Sequence, residues 1–324
     1  MLESIGAQAV MGYAGVIRQL PFHLRLLGRL TQRMLEGDIS LVILVDYPGF
    51  NLRLAAAARA RGVPVLYFIT PKVWAWRAGR LKAMRRTITR AAVILPFEAP
   101  FLETHGIAAT YVGNPLLDDA CDLPSRSDAR VRLGIPDDAP VLALFPGSRR
   151  GELAHHLAAF TATAHELERR VAGLRVVVSV APGMEIEATR VPFQLVRGNS
   201  YAVWRAADAA LVKSGTSTLE AALADTPLIV AYRVGALNYE IARRLIRGIR
   251  YIGLVNLVVD RAVAPEFIQD AMQPAAMADA LEPLLAHGSP ARTRMLGDLA
   301  DVRRALGDPG AAERVARIAL EMLA

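Results

Sequence analysis

A chain of 324 residues is long enough for about two domains that each bury a hydrophobic core. The composition, 53% hydrophobic and 21% charged with one cysteine, excludes a fibre and a disulfide-stapled miniprotein. No apolar run approaches the ~18 residues that a membrane-spanning helix needs. The net charge of +7 favours an anionic partner, such as nucleic acid, a phospholipid surface or a phosphorylated substrate.

Two features of the chain bear on its compartment. Cys121 has no second cysteine to pair with, which fits a reducing compartment. The uncharged run Ser4–Ile17 follows no basic segment and precedes no recognisable cleavage site, so we expect no signal peptide.

Short apolar strands alternate with helical stretches, which is the pattern of βαβ units and a parallel sheet. The first half contains four predicted strands, Leu41–Asp46, Val65–Ile69, Ala91–Leu95 and Thr110–Val112. The second half contains five, Val141–Phe145, Leu174–Val180, Phe193–Val196, Ala209–Val212 and Leu228–Ala231. We therefore predict an α/β fold with two Rossmann-like domains, followed by helices after Pro274.

The boundary between the two domains is predicted from a change in composition. Cys121–Asp128 combines Pro124 with serines and mixed charges, which is typical of an interdomain linker. We predict a first domain over residues 1–122 and a second over residues 123–300.

Two stretches stand out by their positive charge. Ile17–Leu35 mixes apolar residues with four arginines, and Lys72–Arg90 carries seven cations and no acid beside Trp74 and Trp76. Each is interpreted either as a packed helix with a solvated basic face or as a surface for an anionic membrane. A nucleic-acid surface is a third alternative, but no recognised nucleic-acid module surrounds either stretch.

Asp46 follows the first predicted strand and precedes a turn through Pro48 and Gly49 into a helix near Asn51. Ligands of open α/β sheets bind beyond the carboxyl ends of the strands, so Asp46 is placed to meet a substrate. An aspartate at such a turn is also a common helix cap. The residues alone leave both roles open.

Two strand–turn–helix segments of the second half are typical of phosphate sites. They are Pro146-Gly-Ser-Arg149 and Lys213-Ser-Gly-Thr-Ser-Thr-Leu-Glu220. Backbone N–H groups at a helix start, with an arginine beside them, bind phosphate or diphosphate. The Glu220 carboxylate, farther along the second helix, could accept ribose hydroxyls. A capped turn without a ligand is the alternative for each segment.

The sequence offers little for metal chemistry. His155 and His156 are adjacent rather than spaced as helical ligands, and no Asp-x-Asp pair occurs. The nucleophile elbow and the Walker motif are absent, which argues against a hydrolase and a kinase. We predict neither a metal nor a cofactor.

A set of motifs resembles the lipid-A-disaccharide synthase family in order and spacing over nearly the whole chain. The element with Trp74, Trp76 and Arg77 is the most distinctive of them. The motifs are Asp46-Tyr-Pro-Gly-Phe-Asn51, Ile69-Thr-Pro71-Lys-Val-Trp74-Ala-Trp76-Arg77, Leu95-Pro96-Phe97-Glu98, Val112-Gly113-Asn114-Pro115-Leu116, Pro146-Gly147-Ser148-Arg149, Ser214-Gly215-Thr216-x-x-x-Glu220, Tyr232-Arg233, Asn256-Leu257 and Pro265-Glu266-Phe-Ile-Gln269.

The resemblance implies a glycosyltransferase of the GT-B type, with two Rossmann-like domains facing across a cleft. Such an enzyme moves 2,3-diacylglucosamine from UDP to 2,3-diacylglucosamine 1-phosphate, giving a β-1,6 disaccharide and UDP in lipid A biosynthesis. It works without a metal, in the cytoplasm and peripherally on the inner face of the inner membrane. An anionic membrane surface is therefore an expected partner, nucleic acid is not, and a homodimer is left open.

The resemblance also assigns roles to residues of this chain. Asp46 is the candidate general base, Arg149 neutralises the leaving diphosphate, and the segment 301–324 returns to the first, acceptor and membrane-side domain. Trp74, Trp76 and Arg77 belong to that membrane side. The UDP-sugar is expected to contact Gly147, Ser148, Arg149, Ser214, Gly215, Thr216, Glu220, Tyr232, Asn256, Glu266 and Gln269.

The chain departs from the family pattern at its start. Family members begin with a strand and a turn reading roughly Gly-Glu-x-Ser-Gly-Asp, whereas this sequence joins the pattern just before Val10-Met11-Gly12. We therefore expect an N-terminally incomplete first domain with exposed strand edges. Two alternatives stay open: another UDP-sugar enzyme of the same plan, such as an epimerase or a peptidoglycan-type transferase, and a non-catalytic remnant that binds a UDP-sugar or a membrane.

Overall fold

The computed structural model describes residues 13–187, 189, 191–245, 248 and 250–324. It divides into two compact units, one that runs to Val112 and includes Ala312–Ala324, and one that comprises Gly113–Ala311. Most of the run Ser4–Ile17, with Val10-Met11-Gly12, lies outside the described residues. Within these residues, no helix is long and apolar enough to cross a membrane.

The division between the units differs from the predicted boundaries at residues 122 and 300. Residues 113–122 belong to the second unit because α5 (Leu116–Ala120) packs on that unit's α9 (Ser217–Leu223) and the Asp118 carboxylate accepts the Gly310 N–H. Cys121–Asp128 is therefore not a linker between the units, and a helix begins inside it at Arg126.

The first unit contains a four-stranded parallel sheet with the order β1-β2-β3-β4. Its strands are β1 (Val42–Val45), β2 (Val65–Phe68), β3 (Arg90–Val93) and β4 (Ala109–Tyr111). Its helices are α1 (Tyr13–Leu35), α2 (Pro48–Arg59), α3 (Arg80–Thr87), α4 (Glu98–Thr104) and α14 (Ala311–Glu321).

Both faces of this first sheet are covered by helices. Leu54 and Ala58 of α2 and Met84 of α3 pack in one core cluster, and Val315 and Ile318 of α14 pack in another. Burying both faces explains why the strands read as continuous apolar runs. The edge strand β1 is the exception.

Strand β1 leaves apolar side chains in contact with solvent. Ile43 is 48% exposed and Val45 is 52% exposed, whereas Leu44 between them is buried. The strand pairs with β2 on one side and forms the edge of the described sheet on the other. An exposed apolar edge of this kind is the expected liability of a parallel sheet.

The second unit contains a six-stranded parallel sheet with the order β10-β9-β8-β5-β6-β7. Its strands are β5 (Val141–Phe145), β6 (Arg175–Val180), β7 (Gln194–Arg197), β8 (Ala209–Lys213), β9 (Leu228–Tyr232) and β10 (Glu266–Ile268). Its helices are α5, α6 (Arg126–Leu133), α7 (Arg150–Glu168), α8 (Ser200–Ala206), α9, α10 (Ala236–Leu245), α11 (Leu254–Leu257), α12 (Pro274–Leu285) and α13 (Pro290–Leu306).

The strand order of the second sheet creates a crevice. The chain proceeds from β5 outward through β6 and β7, then crosses to the other side of β5 and proceeds through β8, β9 and β10. The direction therefore reverses between β5 and β8. Crevices at the carboxyl ends of strands at such a switch point are where open α/β sheets bind ligands.

The nine predicted strands are present, with ends shifted by at most two residues. The tenth strand, β10, was missed because it has only three residues and follows Pro265. Its pairing is a tertiary one, since Glu266–Ile268 lie beside Val230–Tyr232 of β9. No local pattern in so short a segment indicates that pairing.

Candidate functional site

The turn after β5 lies at the switch point and opens α7. Gly147 has a φ of 130°, a conformation that side-chain-bearing residues rarely adopt. The Ser148 N–H donates to the Glu152 Oε2 at 2.9 Å, and Arg149, whose side chain is 54% exposed, donates from Nη1 to Oε1 at 3.1 Å. The turn thus presents an N–H group and a guanidinium, and both contact one carboxylate.

The turn after β8 lies beside it and opens α9. The Ser214 hydroxyl donates to the Ile252 carbonyl at 2.8 Å, and the Thr218 hydroxyl donates to the Gly215 carbonyl at 2.8 Å. Thr216 is the N-cap residue of α9, is exposed and makes no side-chain capping bond. Of the predicted hydroxyl donors, Ser214 is therefore committed to the protein and Thr216 faces solvent.

The Glu152 carboxylate bridges the two turns. Its Oε1 lies 2.9 Å from the Lys213 Nζ at the end of β8. Burial alone would raise the pKa of Glu152, but the hydrogen bond and charge of Lys213, with the Ser148 N–H, outweigh it and lower the pKa. The carboxylate is therefore ionised at neutral pH.

Glu220 lies one turn into α9, beside a buried tryptophan. Its Oε2 accepts the Trp204 indole N–H at 2.9 Å, and the Trp204 ring stacks on Phe145 with centroids 3.6 Å apart. Burial is the largest cause that raises the pKa of Glu220, and the negative charge of Asp119 adds to it. The indole bond uses one carboxylate oxygen, so the other is the one that could meet a ribose.

Asn256, Glu266 and Gln269 hold backbone segments together. Asn256 is fully buried, donating to Ala264 and Glu266 and accepting from the N–H groups of Val263 and Ala264. The single Ile252 N–H donates to both Glu266 oxygens, and Oε1 also accepts the Gly253 N–H. The Gln269 amide makes two bonds to the Val234 backbone. Through these bonds the three side chains fix the positions of the loops that contain them. Their direct contacts with a UDP-sugar stay a prediction.

His156 is a residue that the sequence reasoning set aside. It is fully buried on α7, with Nδ1 2.6 Å from the Glu152 carbonyl and Nε2 accepting the Arg233 N–H at 2.9 Å. Burial lowers its pKa, so it is a neutral ring with the proton on Nδ1. The centroid of its ring lies 5.9 Å from that of the Tyr232 ring. His156 therefore fixes the end of β9 against α7.

Glu152 and Lys213 were also missed as site residues. Glu152 stands three residues after the N-cap residue Arg149, the position from which a glutamate folds back onto the helix start. Lys213 is the last residue of β8, facing the switch point. Both signals were readable in the sequence, but their pairing depends on the adjacency of β5 and β8.

In the first unit, Asp46 occupies an unusual turn. Asp46 and Tyr47 have φ values of 45° and 44°, and the Asp46 carbonyl accepts both the Tyr67 hydroxyl and the Asn51 amide at 2.7 Å. Helix α2 begins at Pro48 with Tyr47 as its N-cap residue and no side-chain cap. Asp46 therefore does not cap this helix, and its side chain is exposed.

Trp74, Trp76 and Arg77 follow β2. The Trp74 indole donates to the buried Glu98 carboxylate at 2.9 Å, and its ring packs edge-on against Phe97. Trp76 is 45% exposed, with the guanidinium of Arg77 4.5 Å above its ring. Trp74 thus anchors the segment and Trp76 presents an aromatic face with a cation to solvent.

The predicted site residues fall into two groups. In the second unit, four adjacent strands bring Gly147–Arg149, Ser214–Thr216, Tyr232 and Gln269 to one edge of the sheet. Asp46, Trp74, Trp76 and Arg77 belong to the first unit. Across the described ranges, no group of three or more His, Cys, Asp and Glu side chains could hold a metal ion.

The sequence has close relatives among curated proteins. It is 40% identical over 322 residues to the lipid-A-disaccharide synthase of Myxococcus xanthus, covering 97% of this chain and 84% of the relative. It is 41% identical over 324 residues to that of Syntrophus aciditrophicus, with the same coverage.

Solved structures share the fold at low sequence identity. The UDP-GlcNAc 2-epimerase of Neisseria meningitidis, bound to UDP-GlcNAc, aligns with a TM-score of 0.64 at 12% identity, over 96% of this chain and 84% of that one. MurG of Acinetobacter baumannii aligns with a TM-score of 0.56 at 15% identity, over 92% and 78%. The fold is therefore of the GT-B type, as predicted.

The family itself is identified at the sequence level. The family described as lipid-A-disaccharide synthetase matches residues 1–318, nearly the whole chain. This match and the relatives near 40% identity agree with the motifs found in the sequence. The chain therefore belongs to the lipid-A-disaccharide synthetase family.

Proposed function

We propose that this protein transfers 2,3-diacylglucosamine from UDP to the 6-hydroxyl of 2,3-diacylglucosamine 1-phosphate. The products are the β-1,6 disaccharide precursor of lipid A and UDP. Family membership supports the reaction class. The position of the donor site is supported by the two turns at the switch point of the second sheet. That crevice offers cationic and N–H donors in the arrangement that suits a diphosphate.

In this proposal the second unit, Gly113–Ala311, holds the UDP-sugar. Arg149 and the N-terminus of α7 bind the diphosphate, and Glu220 accepts ribose hydroxyls with its second oxygen. Gly147, Ser148, Ser214, Gly215 and Thr216 shape the two turns around the phosphates. Tyr232, Asn256, Glu266 and Gln269 position the loops that border the site, as their contacts with β9, β10 and the backbone at Ile252 and Val234 indicate.

The first unit supplies the acceptor side and the base. The Asp46 carboxylate takes the proton of the acceptor hydroxyl while the oxygen attacks the anomeric carbon and the bond to UDP breaks. The attack occurs opposite the departing UDP, so the configuration inverts. A base is needed because a sugar hydroxyl is a weak nucleophile at neutral pH.

In this proposal the negative charge that develops on the leaving group is stabilised by residues of the second unit. Arg149 and the helix start stabilise that charge, which builds up on the diphosphate as the glycosidic bond breaks. A guanidinium and backbone N–H groups at fixed positions do this without reorganisation. Here they take the role that a divalent metal has in other transferases.

The first unit would also meet the lipid. Trp76 and Arg77 lie on its surface, and a cation beside an exposed indole suits the headgroup region of a membrane. Further exposed cations of this unit are Arg25, Arg29 and Arg33 of α1 and Lys82, Arg85 and Arg86 of α3. We place the protein peripherally on the anionic inner face of the inner membrane. A homodimer is compatible with this arrangement.

A single assay separates this function from its alternatives. The full chain is incubated with UDP-2,3-diacylglucosamine and radiolabelled 2,3-diacylglucosamine 1-phosphate, and products are resolved by chromatography. We expect a labelled disaccharide that forms in excess chelator. An epimerase would alter the UDP-sugar without consuming the acceptor, and a non-catalytic protein would leave both unchanged. Either result would refute the transferase.

A further inference from the structure

Building on the donor site proposed above, we propose that the Lys213 ammonium binds the diphosphate together with Arg149, and that the Glu152 carboxylate is a built-in counter-ion that competes with the diphosphate for both cations. The pair would set how tightly the site holds its nucleotide. The assignment rests on the contacts of Glu152, on the two glycines of the turns, on the charges at the site, and on the rarity and low exposure of Lys213.

The first observation is that Glu152 already binds what a phosphate would bind. Its carboxylate accepts the Ser148 N–H at 2.9 Å, the Arg149 Nη1 at 3.1 Å and the Lys213 Nζ at 2.9 Å. A carboxylate and a phosphate both present anionic oxygens to such donors. Arg149 and Lys213 share the same oxygen, Oε1, so the two cations lie close together at the switch point.

The second observation is that each turn leaves room for one member of the pair. A Cβ added to Gly147 would lie 2.6 Å from the Glu152 Cβ and 2.8 Å from its Oε2. A Cβ added to Gly215 would lie 3.2 Å from the Lys213 Nζ. The glycine of the first turn therefore admits Glu152, and that of the second turn admits the ammonium group.

The third observation concerns charge. Two cations and one carboxylate leave a net charge of about +1, which is less than a diphosphate needs for neutralisation. Lys213 has three N–H donors and Arg149 has five, and Glu152 takes one from each. Donors therefore remain for a ligand, and displacing Glu152 would raise the positive charge that the ligand meets.

The chain's composition makes Lys213 conspicuous. Of 38 cationic residues only three are lysines, Lys72, Lys82 and Lys213. Lys213 is the one lysine of the second unit, and its side chain is only 16% exposed. A compact ammonium suits a point contact with a phosphate oxygen, whereas arginine suits planar, bidentate contacts.

The test compares two variants that are expected to change UDP affinity in opposite directions. By calorimetry on the full chain, Lys213→Met should weaken UDP binding about ten-fold to a hundred-fold, the range for a lost charged hydrogen bond. Glu152→Gln keeps an acceptor for the Ser148 N–H but removes the competing charge, so it should tighten UDP binding several-fold. Uridine, which has no phosphate, should bind all three proteins alike.

A merely structural ion pair predicts a different result. Both variants would then weaken UDP binding and lower thermal stability together, and that outcome, or unchanged UDP affinity in Lys213→Met, would overturn the proposal. Arg170→Met is the matched control, since it removes a cation that pairs with Glu166 at the far end of α7. Its UDP affinity should equal that of the wild type.

A measurement on the wild type covers the case in which Lys213→Met does not fold. UDP should slow reductive methylation of Lys213, read by peptide mass spectrometry, while Lys72 and Lys82 of the first unit react at unchanged rates. Uridine should give no protection. Equal reactivity of Lys213 with and without saturating UDP would refute its contact with the diphosphate. A wild type that binds no UDP would instead refute the proposed donor site itself.

Discussion

The turn at Asp46 illustrates how a few residues can fix a carboxylate at the end of a strand. Two successive residues with positive φ are uncommon outside glycine and cluster where function requires strain. The Tyr67 hydroxyl and the Asn51 amide bind the Asp46 carbonyl and so hold the turn. Burial raises the pKa of Tyr67, which keeps its hydroxyl protonated as a donor. The backbone is thereby restrained while the side chain stays exposed.

This geometry makes Asp46→Asn a sharp test of the proposed base. Asparagine tolerates the left-handed region about as well as aspartate, so the turn should survive the change. Losing the base should lower turnover by ~10²–10⁴-fold, with little effect on UDP-sugar affinity. Turnover and thermal unfolding are measured side by side. Near-normal turnover in a stably folded variant would leave Asp46 as a turn residue only.

Arg149 offers a second test at the residue scale. Its side chain is half exposed and its one described ion pair is with Glu152, so removing it should disturb the fold little. We expect Arg149→Ala to weaken UDP binding by ~1.5–3 kcal/mol, the range for a charged hydrogen bond. Calorimetry on the full chain measures this. Identical titrations of variant and wild type would remove Arg149 from the site.

At the scale of elements, the strands were predictable and the roles of loop residues were not. A strand buried on both faces reads as an apolar run, so β5 was predicted to the residue. By contrast, nothing local shows that Asn256 and Glu266 bind backbone at Ile252 and Ala264, since those contacts join segments brought together by the fold. The Glu152–Lys213 contact escaped prediction for the same reason.

A buried charge network lies at the amino ends of the central strands β5 and β8, at the end of the sheet opposite the site. Asp208 has no exposed side-chain surface and accepts from Arg126 at 2.6 Å, Arg130 at 3.0 Å and the Val141 N–H at 2.8 Å. Burial alone would raise its pKa, but Arg126 and the hydrogen bonds outweigh this and lower it. The network links α6 to the starts of β5 and β8.

We therefore expect Asp208→Asn to lower the free energy of unfolding by ~3–5 kcal/mol, because it leaves the buried Arg130 without a counter-charge. Denaturant unfolding at neutral pH measures this. Asp279→Asn, at an exposed pair with Arg170, is the control and should cost less than ~1 kcal/mol. Equal effects of the two changes would contradict the network's role.

The pH dependence follows from the sign of the Asp208 shift. Because its pKa is lower folded than unfolded, the ionised network stabilises the protein above the ordinary value of 3.8. That contribution disappears as the pH falls through 3.8 and then through the lower folded value. The stability difference between the wild type and Asp208→Asn should therefore shrink in acid. A difference that stays constant to pH 2 would contradict this linkage.

At the scale of the whole molecule, the net charge is +7, and part of the positive charge lies on the exposed faces of α1 and α3. Leu26 and Met34 of α1 are buried, while Arg25 and Arg33 on the same helix are exposed. On α3, Met84 is buried and Lys82, Arg85 and Arg86 are exposed. Packed helices with solvated basic faces are thus present, and such faces can also meet anionic lipid.

Membrane association should accordingly be electrostatic, and it should depend on where the cations lie on the surface. Each cation near an anionic surface contributes ~1 kcal/mol, so Arg85→Glu/Arg86→Glu should weaken sedimentation with anionic vesicles by well over ten-fold. Arg243→Glu/Arg244→Glu is the matched control, because it makes the same charge change on exposed arginines of α10. It should leave vesicle binding near the wild-type level. Equal losses of vesicle binding in the two double variants would show that net charge alone matters. Screening in high salt should release the wild-type protein from the vesicles, and protein that stays bound there would contradict electrostatic attachment.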